Sequence, residues 1–384
     1  MKICFVTTVS ATMRAFVLDT ASYLHEKGGY EVVLVCGPDD DFAKRIPEGI
    51  RFFPIEMKRG ADMLFLKRIL WLRAFFKKEK FDMVQYSTPN ASLYASAASW
   101  LAGVPVRLYC QWGILYTGFR GLKRWFFKKL EKTVCRLSTW IEPDSLGNLE
   151  FSRGEGLYRE GNSSVVWNGS ASGVDLEKFD IGRKPVWRRE ARDLYGIAES
   201  SYVLGFVGRV TRDKGISELL SAAKVFLKRH DEALLVITGD RGGSVTVDPL
   251  LMEWSLNEKR VIYTDRISDV EKILSAMDVF ILPSYREGFG SVVIEAEAMG
   301  LPVIATDIPG PTDAMLEGVT GLIVEKGSAQ QLLDAMEKLY IDRKMAMDFS
   351  EAGREFVLLK FRRDIFMEKL LVDRERLLGD GNAD

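Results

Sequence analysis

Short apolar runs alternate along this chain with longer stretches in which apolar positions recur every three or four residues. The short runs predict strands over residues 2–7, 31–36, 51–55, 81–86 and 105–110, and then over 202–207, 233–238, 261–263, 278–282, 302–306 and 321–324. The longer periodic stretches predict helices over 13–26, 62–78, 91–102 and 121–136, and over 216–228, 268–277, 291–299 and 329–340, with further helices to Leu378. Strand and helix in strict alternation imply an α/β fold with doubly wound, mostly parallel sheets. At 384 residues the chain exceeds one average core and suits two domains. The Gly- and Ser-rich stretch from Asn162 to Gly173 reads as a hinge, giving domains over 1–168 and 169–355 followed by a terminal helix over 356–384.

Ligands of such sheets bind beyond the carboxyl ends of the strands. In the first half that edge carries residues 8–12, 87–90 and 111–113, which makes Ser10, Thr12, Asn90, Gln111 and Trp112 the candidate ligand-contacting residues of that half. No G-x-G-x-x-G follows the first strand, so a dinucleotide cofactor is disfavoured. Cys4, Cys36, Cys110 and Cys135 lack C-x-x-C spacing and read as free thiols in the cytosol. The apolar stretch after Lys2 is too short for a signal peptide, and no run is long enough to span a bilayer.

Charge changes the picture in one region. Residues 51–136 hold 17 Lys and Arg against 5 Asp and Glu. The helix over 121–136 combines Lys123, Arg124, Lys128, Lys129, Lys132 and Arg136 with Leu122, Trp125, Phe126, Phe127 and Leu130. That composition fits peripheral contact with an anionic membrane, or equally aromatics filling the domain's own core beneath a solvated basic face. No nucleic-acid-binding module accompanies the charge, so nucleic acid is not expected as a partner.

The densest candidate chemistry lies over residues 284–296, where an apolar strand halted by Pro283 passes through a glycine turn into a helix. Without a Cβ at Gly288 and Gly290 the backbone can approach a ligand, and the first helical N–H groups favour an anion. Glu287 and Glu295 flank this anion site. Carboxylates repel phosphate, so their natural partners are sugar or ribose hydroxyls; the plainer alternative makes Glu295 a helix-dipole complement and Glu287 a solvated loop residue. Upstream, Arg209 and Lys214 follow another predicted strand, where a guanidinium and an ammonium can share one diphosphate.

Glu287-x7-Glu295 with Gly288-Phe289-Gly290, preceded by Gly208-Arg209 and Lys214-Gly215, resembles the donor-site signature of the retaining GT-B glycosyltransferases of the bacterial capsule and O-antigen type. The resemblance implies two Rossmann-like domains facing a central cleft, with the last helix crossing back to the first. It implies that Glu287 sits beside the donor sugar, that Glu295 bonds the ribose, and that Arg209 and Lys214 clamp the diphosphate. Arg266, Gly288, Phe289, Gly290, Ser291 and Val292 complete the implied donor contacts. The implied partners are a nucleotide-sugar, with UDP favoured, and a saccharide or polyprenyl-diphosphate-saccharide acceptor; no cofactor and no metal are expected, since no Asp-x-Asp falls in a plausible site loop and Asp39-Asp40-Asp41 reads as a solvated turn. Two features depart from the pattern. The first loop lacks the family's Gly-Gly, and Gln111-Trp112-Gly113 stands where a histidine is expected. The chain has two histidines, His25 and His230, both expected at helix C-termini. A nucleotide-sugar-binding subunit without turnover and a nucleotide-sugar epimerase remain alternatives.

Overall fold

The structure, a computed structural model, describes residues 1–57 and 64–380. The first two residues of the helix expected over 62–78 lie outside the described residues. The chain divides into two units, Met1–Ser172 with the segment from Asp364 on, and Gly173–Arg363. The division falls at 172/173 rather than 168/169, and at 363/364 rather than 355/356.

In the first unit β1 (Lys2–Val6) leads into α1 (Ser10–Phe16) and α2 (Leu18–Glu26), followed by β2 (Glu31–Cys36), a short α3 (Asp40–Ala43) and β3 (Arg51–Pro54). Then come α4 (Phe65–Glu79), β4 (Met83–Tyr86), α5 (Pro89–Ala102), β5 (Val106–Gln111), α6 (Gly121–Leu137), β6 (Trp140–Pro143) and α7 (Leu146–Gly154). The strands pair in parallel in the order β3-β2-β1-β4-β5-β6. Ile3 to Val6 are buried without alternation, because helices cover both faces of the sheet. Leu72, Phe76, Tyr94 and Ala95 of α4 and α5 fill one face; Met13 and Leu24 of α1 and α2 fill the other. The single helix expected over 13–26 is two, meeting at Val17, whose φ of −118° leaves the helical range. Asp39 is no solvated turn residue: it caps α3, accepting from the Phe42 N–H at 2.9 Å and from Ser10 Oγ at 2.6 Å.

The second unit opens with α8 (Lys184–Tyr195), then β7 (Tyr202–Val207), α9 (Ile216–Arg229), β8 (Ala233–Thr238), α10 (Pro249–Asn257), β9 (Val261–Asp265) and α11 (Val270–Ala276). It continues through β10 (Val279–Leu282), α12 (Ser291–Ala298), β11 (Val303–Thr306), α13 (Pro311–Ala314), β12 (Gly321–Val324), α14 (Ala329–Ile341) and α15 (Arg343–Lys360). Its parallel order is β12-β11-β10-β7-β8-β9. Counted from its own first strand this is the order of the first sheet, so each sheet has its first strand beside its fourth. There the winding reverses and a crevice opens at the carboxyl edge. Finally α16 (Arg363–Asp380) packs within the first unit: Phe366, Met367 and Leu370 join the core of α1 and α2, and the fully buried Arg374 holds Glu142 of β6 through two bonds of 2.5 and 2.8 Å.

Candidate functional site

In the second unit the crevice lies between β7 and β10, which pair through Val279 with Leu204 and Phe280 with Gly205. The loop after β7 carries Arg209 to Lys214, and the loop after β10 carries Ser284 to Glu287. Their backbones touch. Gly215 sits at φ +70°, and a Cβ there would lie 1.9 Å from the Pro283 carbonyl oxygen, so glycine is required. The Tyr285 N–H donates to the Asp213 carbonyl at 2.9 Å, and Arg286 donates to the Asp213 carboxylate at 2.8 Å.

This contact brings Lys214 and Glu287 together. Lys214 Nζ donates to both carboxylate oxygens, at 2.6 and 2.7 Å, and Ser284 Oγ donates to Oε1 at 2.6 Å. Ser284 is fully buried, and its carbonyl accepts from Thr306 Oγ1 at 2.5 Å. The Lys214 and Glu287 side chains are 17% and 12% exposed, so the pair is largely withdrawn from water yet open on one side. Arg209 projects further, with a side chain 58% exposed and 3.6 Å from Asp213. Burial would raise the Asp213 carboxyl; the Thr211 hydroxyl and the charges of Arg286, Arg209 and Lys214 outweigh it and hold that carboxyl below its ordinary value.

The same loop runs on into α12. Gly290 is left-handed, φ +84°, and no side chain caps the helix it starts. The first-turn N–H groups thus form an anion-favouring end beside Ser291 and Val292. Gly310 presses so close that a Cβ there would lie 2.0 Å from the Gly288 carbonyl oxygen. Phe289, expected among ligand contacts, turns its ring into the core against Phe361, at 5.2 Å between centroids. Glu295 follows one turn into α12. Burial raises its carboxyl to about 7, partly opposed by Lys178 and Arg363 and reinforced by Glu271. Arg266 is exposed and lines a cavity of about 410 Å³ with Glu190, Leu194 and Lys272, a lining that includes neither Lys214 nor Glu287.

Among the described residues the crevice of the first unit, between β1 and β4, has no charged pair. Thr8 Oγ1 meets Thr88 Oγ1 at 2.7 Å, and the Thr8 hydroxyl also accepts from the Ala91 N–H at 3.2 Å. Thr88 is held at φ +69°, a rare conformation for a β-branched residue. These two threonines went unremarked as individual residues; the polar ends of the first and fourth strands were the available signal. Ser10 is tied to Asp39, Thr12 and Asn90 are partly exposed in the first turns of α1 and α5, and Trp112 packs against Phe16 at 5.5 Å between centroids. Gln111 is corrected. It is wholly buried, its Oε1 accepting from Ser152 and Tyr158 at 3.1 Å each and its Nε2 donating to Glu131 at 2.6 Å, so it ties an interior network together rather than facing the crevice. Burial raises the Glu131 carboxyl, opposed by its bonds from Gln111 and Tyr109.

Both histidines close helices that lead into the amino ends of strands, the edge opposite each crevice. His25 Nδ1 bonds the Tyr30 carbonyl at 2.9 Å, and His230 Nε2 meets Glu337 at 2.8 Å. Among the described residues no group of three His, Cys, Asp or Glu comes together as a metal site, and no helix is long and apolar enough to cross a membrane.

A family model for glycosyl transferases group 1 matches residues 188–356, the stretch holding the charged crevice, and one for glycosyl transferase 4-like chains matches residues 2–142. The capsular polysaccharide biosynthesis glycosyltransferase CapM of Staphylococcus aureus is 30% identical over 317 residues, covering 82% of each chain. The chain belongs to the group 1 glycosyltransferases. Another member of these relatives, 24% identical over 98% of this chain and 99% of its own, is the Campylobacter jejuni N,N'-diacetylbacillosaminyl-diphospho-undecaprenol alpha-1,3-N-acetylgalactosaminyltransferase. The solved structure of Anabaena Alr3699/HepE in complex with UDP and glucose superposes with a TM-score of 0.81 at 17% identity, covering 98% of this chain and 99% of that one. This glycosyltransferase therefore has the GT-B fold, with a doubly wound sheet in each unit.

Proposed function

We propose that this glycosyltransferase moves a sugar from a UDP-sugar to a lipid-linked saccharide in surface polysaccharide synthesis, with retention at the anomeric carbon. The observation that carries the reading is the Lys214–Glu287–Ser284 cluster beside the uncapped start of α12. A cation, a carboxylate and helix N–H groups within one crevice match the diphosphate and hydroxyls of a nucleotide-sugar. The CapM name supports a capsule-type pathway, the Campylobacter name supports a diphospho-undecaprenol acceptor and an N-acetylhexosamine, and HepE supports UDP.

As the bond from the anomeric carbon to the phosphate oxygen lengthens, negative charge grows on the leaving UDP and positive charge on the sugar. Lys214, Arg209 and the α12 N–H groups stabilise the former, the dominant electrostatic task in such a transfer. Glu287 lies on the sugar side, and Glu295 accepts from the ribose hydroxyls. In the free enzyme Glu287 holds Lys214 in place, so the diphosphate meets an ammonium already oriented. The acceptor hydroxyl attacks from the face that UDP leaves, and its proton passes to the departing phosphate oxygen. No histidine is used. Thr8, Thr88 and Trp112 border the acceptor.

The test is release of UDP from a panel of UDP-sugars with undecaprenyl-diphosphate-saccharide, with the anomeric configuration of the product read by NMR. Release that requires the acceptor, with an α product from an α donor, is expected. Binding without turnover supports the non-catalytic subunit, sugar isomerisation without release supports the epimerase, and a β product removes retention.

A further inference from the structure

We propose that the second unit carries a further anion site, a cavity at the amino edge of its sheet that takes a small organic phosphate of hexose-phosphate size. The cavity has a volume of about 380 Å³ and is bordered by α8 on one side and the first two turns of α15 on the other. Tyr202 opens β7, Asp278 precedes β10 and Pro302 precedes β11, and all three line it. It therefore sits a strand's length, roughly 13–20 Å, from the carboxyl edge that holds Lys214 and Glu287.

Charge selects the ligand. Lys184, Arg188 and Arg343 line the cavity against one carboxylate, Asp278, which is already answered by Arg188 at 2.7 Å and by the fully buried Arg192 at 3.0 Å. The balance is positive. Helix ends take part of it: Lys184 Nζ donates to the Met299 and Gly300 carbonyls at 2.6 and 2.9 Å where α12 ends, and Arg188 donates to those of Ser275 and Met277 at 3.2 and 3.1 Å where α11 ends. An ammonium has three N–H groups and a guanidinium five, so both side chains keep donors to spare. Burial pushes the Lys184 ammonium down to about 8, with Arg188 adding to the effect and Asp278 opposing it, so this cation gains from a further negative charge beside it.

Arg343 has more to offer. Among the described residues it bonds to no acceptor, its guanidinium lying over the Tyr202 and Tyr340 rings at 4.1 and 4.6 Å. Glu232, the carboxylate it influences, is itself held by the Tyr340 hydroxyl. The buried Tyr202 hydroxyl also lacks a partner. Donors without acceptors, two of them guanidinium forks, match the oxygens of a phosphate, which accepts from several donors at once. The volume exceeds the needs of inorganic phosphate and falls in the lower range of small-molecule sites. Met277, Leu301 and Met347 leave apolar wall for the C–H face of a sugar ring.

The test is calorimetric titration of glucose 1-phosphate, inorganic phosphate and glucose into wild type, Arg343→Gln, Met347→Glu and Lys214→Ala, each checked for folding by its thermal transition. Arg343 and Met347 are exposed, so neither change empties a core, and Met347→Glu sets a carboxylate on the cavity wall. Wild type should bind glucose 1-phosphate more tightly than inorganic phosphate and should not bind glucose. Arg343→Gln should bind glucose 1-phosphate at least ~10-fold more weakly, the loss of one charge-assisted contact; Met347→Glu should also weaken it, and Lys214→Ala should match wild type. Absence of binding, or equal affinity in wild type and both cavity variants, would overturn the proposal. So would a loss in Lys214→Ala, which moves the phosphate to the β7–β10 crevice, or inorganic phosphate binding as tightly as glucose 1-phosphate, which removes the organic ligand. None of these readings uses turnover, so this site and the proposed activity stand or fall separately.

Discussion

The two crevices occupy the same topological position and are built from opposite chemistry. Between β7 and β10 the loops meet through an ammonium bonded to both oxygens of a carboxylate; between β1 and β4 they meet through two threonine hydroxyls. The strand order explains where both sites are, but only the side chains explain what each does. A diphosphate demands fixed charge, and fixed charge in a half-buried loop demands a partner when the ligand is away. Hydroxyls carry no such requirement, which suits the acceptor side of the proposed transfer.

The largest effect expected is at the charged crevice. Lys214→Ala and Glu287→Ala should each lower kcat by ~10²–10³-fold, measured as acceptor-dependent UDP release, because each removes charge placed for the departing phosphate or the sugar. Thr8→Ala at the equivalent position of the first unit should lower kcat far less and act on the acceptor KM. A Lys214→Ala enzyme with undiminished kcat would erase the contrast.

Glu295→Gln sharpens the donor side. It should raise the donor KM by about tenfold and spare kcat, since one hydrogen bond to a charged group is lost equally from ground and transition states. The pH dependence has a definite sign. Burial raises this carboxyl from its ordinary 4.5 to about 7. Below about pH 7 it holds a proton and accepts poorly, so the donor KM of wild type should rise as pH falls through 7, while the Glu295→Gln enzyme stays flat. The folded chain keeps a proton that the unfolded chain releases between 4.5 and 7. Stability therefore declines as pH rises through that window, and thermal melts should show the decline absent in Glu295→Gln.

Legibility followed the same contrast. The proposed donor crevice was readable because its candidate residues stand in two short loops, with glycines where the backbone demands them: Gly215 against the Pro283 carbonyl, and the left-handed Gly290 at the start of α12. The ion pair itself was not, since Lys214 and Glu287 were read as separate partners of the donor and no linear pattern reveals a bond across 73 positions. In the first unit Gln111 was misread. A polar residue at a strand's carboxyl end is as consistent with a buried network as with an open site, and its partners Glu131, Ser152 and Tyr158 are distant in sequence. The alternating strands and helices were legible where the apolar runs were long. β6 and α7 were passed over because β6 spans four residues ending at Pro143 and α7 has few apolar positions; half of α8 is charged. Similarly, the basic stripe of α6 was visible, but whether Trp125 and Phe126 faced core or solvent depended on packing.

Smaller effects follow. Gln111→Ala should lower the thermal transition by an amount equivalent to about 1–3 kcal/mol, because Glu131 loses its amide partner in a buried setting, and should leave the acceptor KM unchanged; a large KM change with an unaltered melt would return Gln111 to the ligand. Smallest of all, His25→Ala and His230→Ala should leave kcat unchanged, since both rings lie at amino edges. A hundredfold loss at either histidine would contradict a transfer without histidine.

Calorimetric titration of UDP into wild type and Lys214→Ala, both checked for folding by circular dichroism, bears most directly on where the donor binds. With the diphosphate held in the β7–β10 crevice, the variant should bind UDP at least ~10-fold more weakly, the loss of one charge-assisted contact. Equal affinity of the two proteins would place the diphosphate elsewhere.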